Sequence, residues 1–90
     1  MEREAYETAV AGLIHWAEHV IHSTRAAGCA QWTREAAAVA LAVPELAVLH
    51  QWAASVRESR EFAQDVEATR WAAALVLNAD VIPDEYPAAA

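Results

Sequence analysis

His15, Glu18, His19 and His22 stand at i, i+3, i+4 and i+7. On a helix that spacing gathers the four side chains within an arc of about 100°. Neutral imidazoles one turn apart can reach the same ion, and a carboxylate beside them suits zinc or another divalent metal. The pattern H-x-x-E-H-x-x-H differs from the H-E-x-x-H of zinc proteases and from the paired E-x-x-H of di-iron bundles. The chemistry it offers is surface ligation, completed by a second subunit or by His50 and Cys29. Two other expectations compete with it. One is a solvated polar face with an i,i+4 pair between Glu18 and His22. The other is a contact surface that gains charge as its imidazoles protonate.

Little else in the chain points to catalysis. No Ser-His-Asp or Cys-His arrangement is visible, and two glycines are too few for a phosphate-cradling loop. Cys29, placed after the carboxyl end of the first helix, is expected to be a bystander and not an activated thiol. A non-enzymatic protein without a resident cofactor is expected. With one cysteine no internal disulfide can form, and the acidic opening Met1-Glu-Arg-Glu is unlike a secretory leader. The longest uncharged apolar run, 36–44, is well short of the roughly 20 residues that span a bilayer. The chain is expected to be soluble and cytoplasmic.

Charge narrows the partners. Thirteen acids face six bases, giving a net charge of −7, and every base is an arginine. No stretch supplies the basic face that displaces counterions from phosphates, so nucleic acid and anionic membranes are disfavoured. A basic protein surface is the better target. Two acidic regions are candidates to meet it: Glu58, Glu61, Asp65 and Glu67, interleaved with Arg57, Arg60 and Arg70, and Asp84, Glu85 and Tyr86 in the terminal segment. That segment carries apolar anchors among acids and could order on contact. The plain alternatives are a solvated helix face and an unstructured terminus.

The elements that would position these residues are helical. An amphipathic helix is expected over about 2–27, with Tyr6, Val10, Leu13, Ala17 and Val20 on its core side, the histidines opposite, and Gly28 as a left-handed stop. Thr33 is a candidate N-cap for a short helix over about 33–43, which is apolar on all sides over 36–43 and so central or covered by a partner. Pro44 suits the start of another helix, running to about 58. Ser55, in a capping box with Glu58, or Ser59 would begin the last helix, which Asn78 would end near Leu77; one helix over 44–77 is the alternative.

The fold expected is all-α: a compact bundle of three to four helices over 1–79, with an acidic, proline-containing tail over 80–90. Four tryptophans invite a repeat, since His15-Trp16-Ala17, Gln51-Trp52-Ala53 and Arg70-Trp71-Ala72 look alike. Their successive spacings of 16, 20 and 19 are no fixed period, so each is expected to anchor its own helix in a non-repetitive core. Although 57% of residues are hydrophobic, many are alanines that bury little area. A homodimer or a partner would supply the missing burial. Together these features favour a small acidic protein-interaction module, a regulator or inhibitor of the kind phage and mobile elements encode. A metal-binding helical protein using the histidine stripe is the alternative.

Overall fold

Two serines punctuate the chain. Ser23 (φ −141°, ψ 115°) and Ser59 (φ −132°, ψ 118°) both have extended backbone, which ends the helix before each of them. Each then accepts a hydrogen bond on its hydroxyl from the amide three residues on, Ala26 and Phe62, both at 3.1 Å. This is the N-cap role serine favours, and it restarts the chain as a four-residue helix. The computed structural model describes residues 2–79. Among them are six helices: α1 (Arg3–His22), α2 (Thr24–Ala27), α3 (Ala30–Leu41), α4 (His50–Glu58), α5 (Arg60–Ala63) and α6 (Val66–Ala79), with a 3₁₀ segment Pro44–Leu49 between α3 and α4. No strand occurs among the described residues.

The all-α expectation holds, with more and shorter helices than a three- or four-helix bundle. The helix expected over 2–27 is broken at Ser23. Gly28 has φ −92° and is no left-handed stop. Cys29, not Thr33, is the N-cap of α3, and Thr33 lies buried inside that helix. Cys29 therefore precedes an amino-terminal helix end instead of only following a carboxyl end. Pro44 does open a helical segment, but as a 3₁₀ turn kinked at Leu46 (φ −102°, ψ 40°). His50 covers the end of the preceding helix: its Nε2–H donates to the carbonyls of Ala40 (3.1 Å) and Val43 (3.0 Å), which also accept from the Val43 and Leu46 amides. Neither candidate serine begins the last helix: Ser59 caps the four-residue α5, and the last helix starts at Val66 behind Asp65, so one helix over 44–77 is excluded. Asn78 lies within α6, which reaches Ala79.

The six helices form two hairpins of one plan, α1–α2–α3 and α4–α5–α6, in which residue n of the first corresponds to residue n+36 of the second. The correspondence unites Leu13 with Leu49, Trp16 with Trp52, Val20 with Val56, Ala27 with Ala63, Thr33 with Thr69 and Ala37 with Ala73, all buried. It also joins Ser23 to Ser59 and Arg34 to Arg70. The chain thus contains a repeat that successive tryptophan spacings do not reveal.

The hairpins exchange contacts reciprocally. α1 packs chiefly on α6, and α3 on α4. Arg70 Nε on α6 donates to the Val20 carbonyl at the end of α1, and Arg34 Nε on α3 donates to the Val56 carbonyl at the end of α4, both at 3.3 Å. Each arginine places positive charge at the negative end of the other hairpin's first helix. Such mirrored contacts define an approximate twofold axis. Trp16 and Trp52, which meet their own counterpart with ring centroids 5.7 Å apart, lie beside it. Large side chains of this kind contribute about 1.5–3 kcal/mol each on full burial, which offsets the small area of the many alanines. The symmetry extends to a cost: the indole N–H groups of Trp16 and Trp52 and the hydroxyls of Thr33 and Thr69 are buried without a hydrogen-bond partner among the described residues.

Candidate functional site

The face of α1 opposite Leu13, Ala17 and Val20 carries His15, Glu18, His19 and His22, all exposed. The His15 and His19 rings lie 4.5 Å apart, tilted by 58°, and His19 Nδ1–H donates to the His15 carbonyl at 2.9 Å. Both rings border half-buried Trp32 of α3, at 6.2 and 5.5 Å. The histidines thus form an aromatic seam between α1 and α3. The expected Glu18–His22 pair is not formed. His50 and Cys29 are not drawn into this cluster: His50 caps α3, and Cys29 is an exposed free thiol at the start of α3. Among the described residues no group of three or more His, Cys, Asp or Glu side chains is arranged to hold a metal ion.

The acidic candidates on the second hairpin, Glu58, Glu61, Asp65 and Glu67, are all exposed. Asp65 has a structural task, since its Oδ1 accepts from the Ala68 amide at 3.0 Å and caps α6. Asp84, Glu85 and Tyr86 lie outside the described residues. No described helix is long and apolar enough to cross a membrane.

The feature that sequence reasoning missed lies between α4 and α6. α1 packs against α3 in the first hairpin, whereas α4 and α6 barely touch in the second. The opening is a groove of about 310 Å³ lined by Val48, Trp52, Phe62, Ala68 and Trp71, with Gln51 and Ser55 as its polar groups. Trp71 is 52% exposed and Val48 41%, the two most exposed large apolar side chains of the described chain. At the matching place of the first hairpin only about 170 Å³ is open, bounded by Gly12, Trp16, Trp32 and Glu35. The substitutions account for the difference. Trp32 corresponds to Ala68, so the indole that fills the first groove is a methyl group in the second. Glu35 corresponds to Trp71, so a charged rim becomes an apolar one. Each tryptophan was expected in the core, but Trp71 stands at this groove's edge. No protein-family model, curated protein or solved structure matches the chain.

Proposed function

We propose that this chain is a small, acidic, non-enzymatic protein-interaction module that seats an apolar or aromatic side chain of a partner protein in the α4–α6 groove. One observation carries the reading. The molecule fills the corresponding groove of its first hairpin with its own indole, Trp32, and leaves the second open beneath an exposed Trp71. An exposed aromatic beside a concave apolar surface is the usual anchor of a protein interface. Exposed Glu67, one turn before Trp71, and a net charge of −7 favour a basic partner surface. A regulator or inhibitor acting in the cytoplasm by occupying such a surface fits these features. Pairing of two copies through the same groove is the self-association form of the reading.

The test is affinity capture from the native host with quantitative mass spectrometry, run on wild type, Trp71→Arg and Ala68→Trp. Proteins retained by wild type and lost with both variants, or a dimer that both variants dissolve, would support the groove. A retained set unchanged by either variant would end it. The second reading, a divalent metal on His15, Glu18, His19 and His22, draws on the exposed His15–His19 pair at 4.5 Å. Elemental analysis of untagged protein, with zinc titration of wild type and His15→Ala/His19→Ala, separates the two.

A further inference from the structure

The second hairpin differs from the first at another place, where α3 meets the α4–α5 junction. There Arg34, Arg57 and Arg60, with Gln31 and Glu35, line a groove of about 390 Å³. Half of the chain's arginines therefore surround one concavity of an acidic protein. Like charges brought together in a partly desolvated groove repel unless an anion lies among them.

The internal symmetry shows that the fold does not require this cluster. At the equivalent place stand Ile21 and Thr24 of the first hairpin with Arg70 of the second. Arg70 donates through Nε to the Val20 carbonyl and through Nη2 to the Thr24 hydroxyl at 3.2 Å, so its guanidinium is served within the protein. Arg34 keeps the first of these bonds, to the Val56 carbonyl. In place of threonine it faces Arg60, which has nothing with which to accept, and Ile21 is replaced by Arg57. Arg57 and Arg60 are exposed and pair with no acid among the described residues, although Glu58 and Glu61 adjoin them in sequence. Glu35, the one carboxylate in the lining, accepts only from Gln31 Nε2 at 3.4 Å.

We infer that this groove is an oxyanion site, holding a carboxylate or phosphate group between the forked N–H donors of Arg34, Arg57 and Arg60. Guanidinium groups bind such anions through paired, charge-assisted hydrogen bonds. Arg34, fixed through Nε, is the anchored donor, while Arg57 and Arg60 close from the α4–α5 side. The anion is brought by a small ligand or by the chain's own acidic segment, which includes Asp80, Asp84 and Glu85. This site is independent of the α4–α6 groove, and either can fail alone.

Pyrophosphate and citrate are the probes, titrated into the full chain at constant ionic strength while the arginine Nε–H resonances are followed. Saturable 1:1 binding that shifts the Arg34 resonance is expected, weakened by about tenfold or more in Arg57→Gln/Arg60→Gln. Circular dichroism of that variant should be unchanged, because the two exposed side chains make no hydrogen bond or ion pair among the described residues. Glu35→Gln, which removes the only carboxylate of the lining, should tighten binding. An Asp80→Asn/Asp84→Asn/Glu85→Gln chain distinguishes the source: if it binds the probes and wild type does not, the chain's own acids are the occupant. No saturable binding to either chain, or binding that survives Arg57→Gln/Arg60→Gln, overturns the site.

Discussion

The two hairpins of this chain use the same buried residues to different ends. Leu13, Trp16, Val20 and Ala37 in the first, and Leu49, Trp52, Val56 and Ala73 in the second, build one interlocked core around an approximate twofold axis. At the surface the halves part. The first is closed, with Trp32 wedged beside His15 and His19 and with Arg70 served by Val20 and Thr24. The second is open, with Ala68 and Trp71 at an apolar groove and with Arg57 and Arg60 facing Arg34 of the first hairpin at another. Where two halves share a scaffold, the shared positions mark what folding requires. The positions that differ mark what is free to serve a partner.

The comparison breaks most visibly at its centre. Trp16→Ala and Trp52→Ala should each cost about 3–5 kcal/mol, and the two costs should agree within about 1 kcal/mol if the core is symmetric. In a domain stable by about 5–15 kcal/mol either loss is severe; urea denaturation of the two variants measures both. The crossed arginines come next. Arg34→Met and Arg70→Met should each cost about 1 kcal/mol, Arg70 a few tenths more because it also loses Thr24, read from the same denaturation curves.

The two long final helices start differently, and that difference can be sharpened. Asp65 caps α6, while its counterpart Cys29 gives α3 no side-chain bond. Asp65→Ala should cost about 1 kcal/mol, and Cys29→Asp should gain about 0.5–1 kcal/mol, shifting the thermal midpoint in opposite directions. The smallest effect is expected at Trp71→Ala. A side chain half exposed at a groove rim should change stability by no more than about 0.5 kcal/mol. A large loss of stability there would recast Trp71 as a core residue.

Much of the architecture was legible from residue types. The stripe Leu13, Ala17, Val20 and the opposed histidine face follow from helical periodicity. Ser59, one of the two serines expected to begin the last helix, begins α5 instead, and Asp65 caps α6. Ser23 escaped notice because the residues on both sides of it keep a helical pattern, so only its backbone reveals the break. Successive tryptophan spacings hide the repeat. The matching pair is Trp16 and Trp52, while the intervening Trp32 and the later Trp71 face Ala68 and Glu35 as counterparts. The α4–α6 groove could not be read from a single helix. Whether Trp71 is buried depends on how closely α4 approaches α6, a tertiary distance that the pattern of neither helix carries. The arginine groove likewise depends on α3 meeting the α4–α5 junction, bringing Arg34 to Arg57 and Arg60 across more than twenty residues of chain.

The tryptophans offer the most direct test of the paired-hairpin account, since each half contributes one at the axis and one at the surface. Hydrogen exchange of the four indole N–H groups, resolved by nuclear magnetic resonance, reads them together. Trp16 and Trp52 should exchange slowly and at matching rates, near the limit set by global unfolding, while Trp71 exchanges as freely as an exposed indole. Unequal protection of Trp16 and Trp52, or strong protection of Trp71 in the isolated protein, would contradict a symmetric core with one hairpin left open.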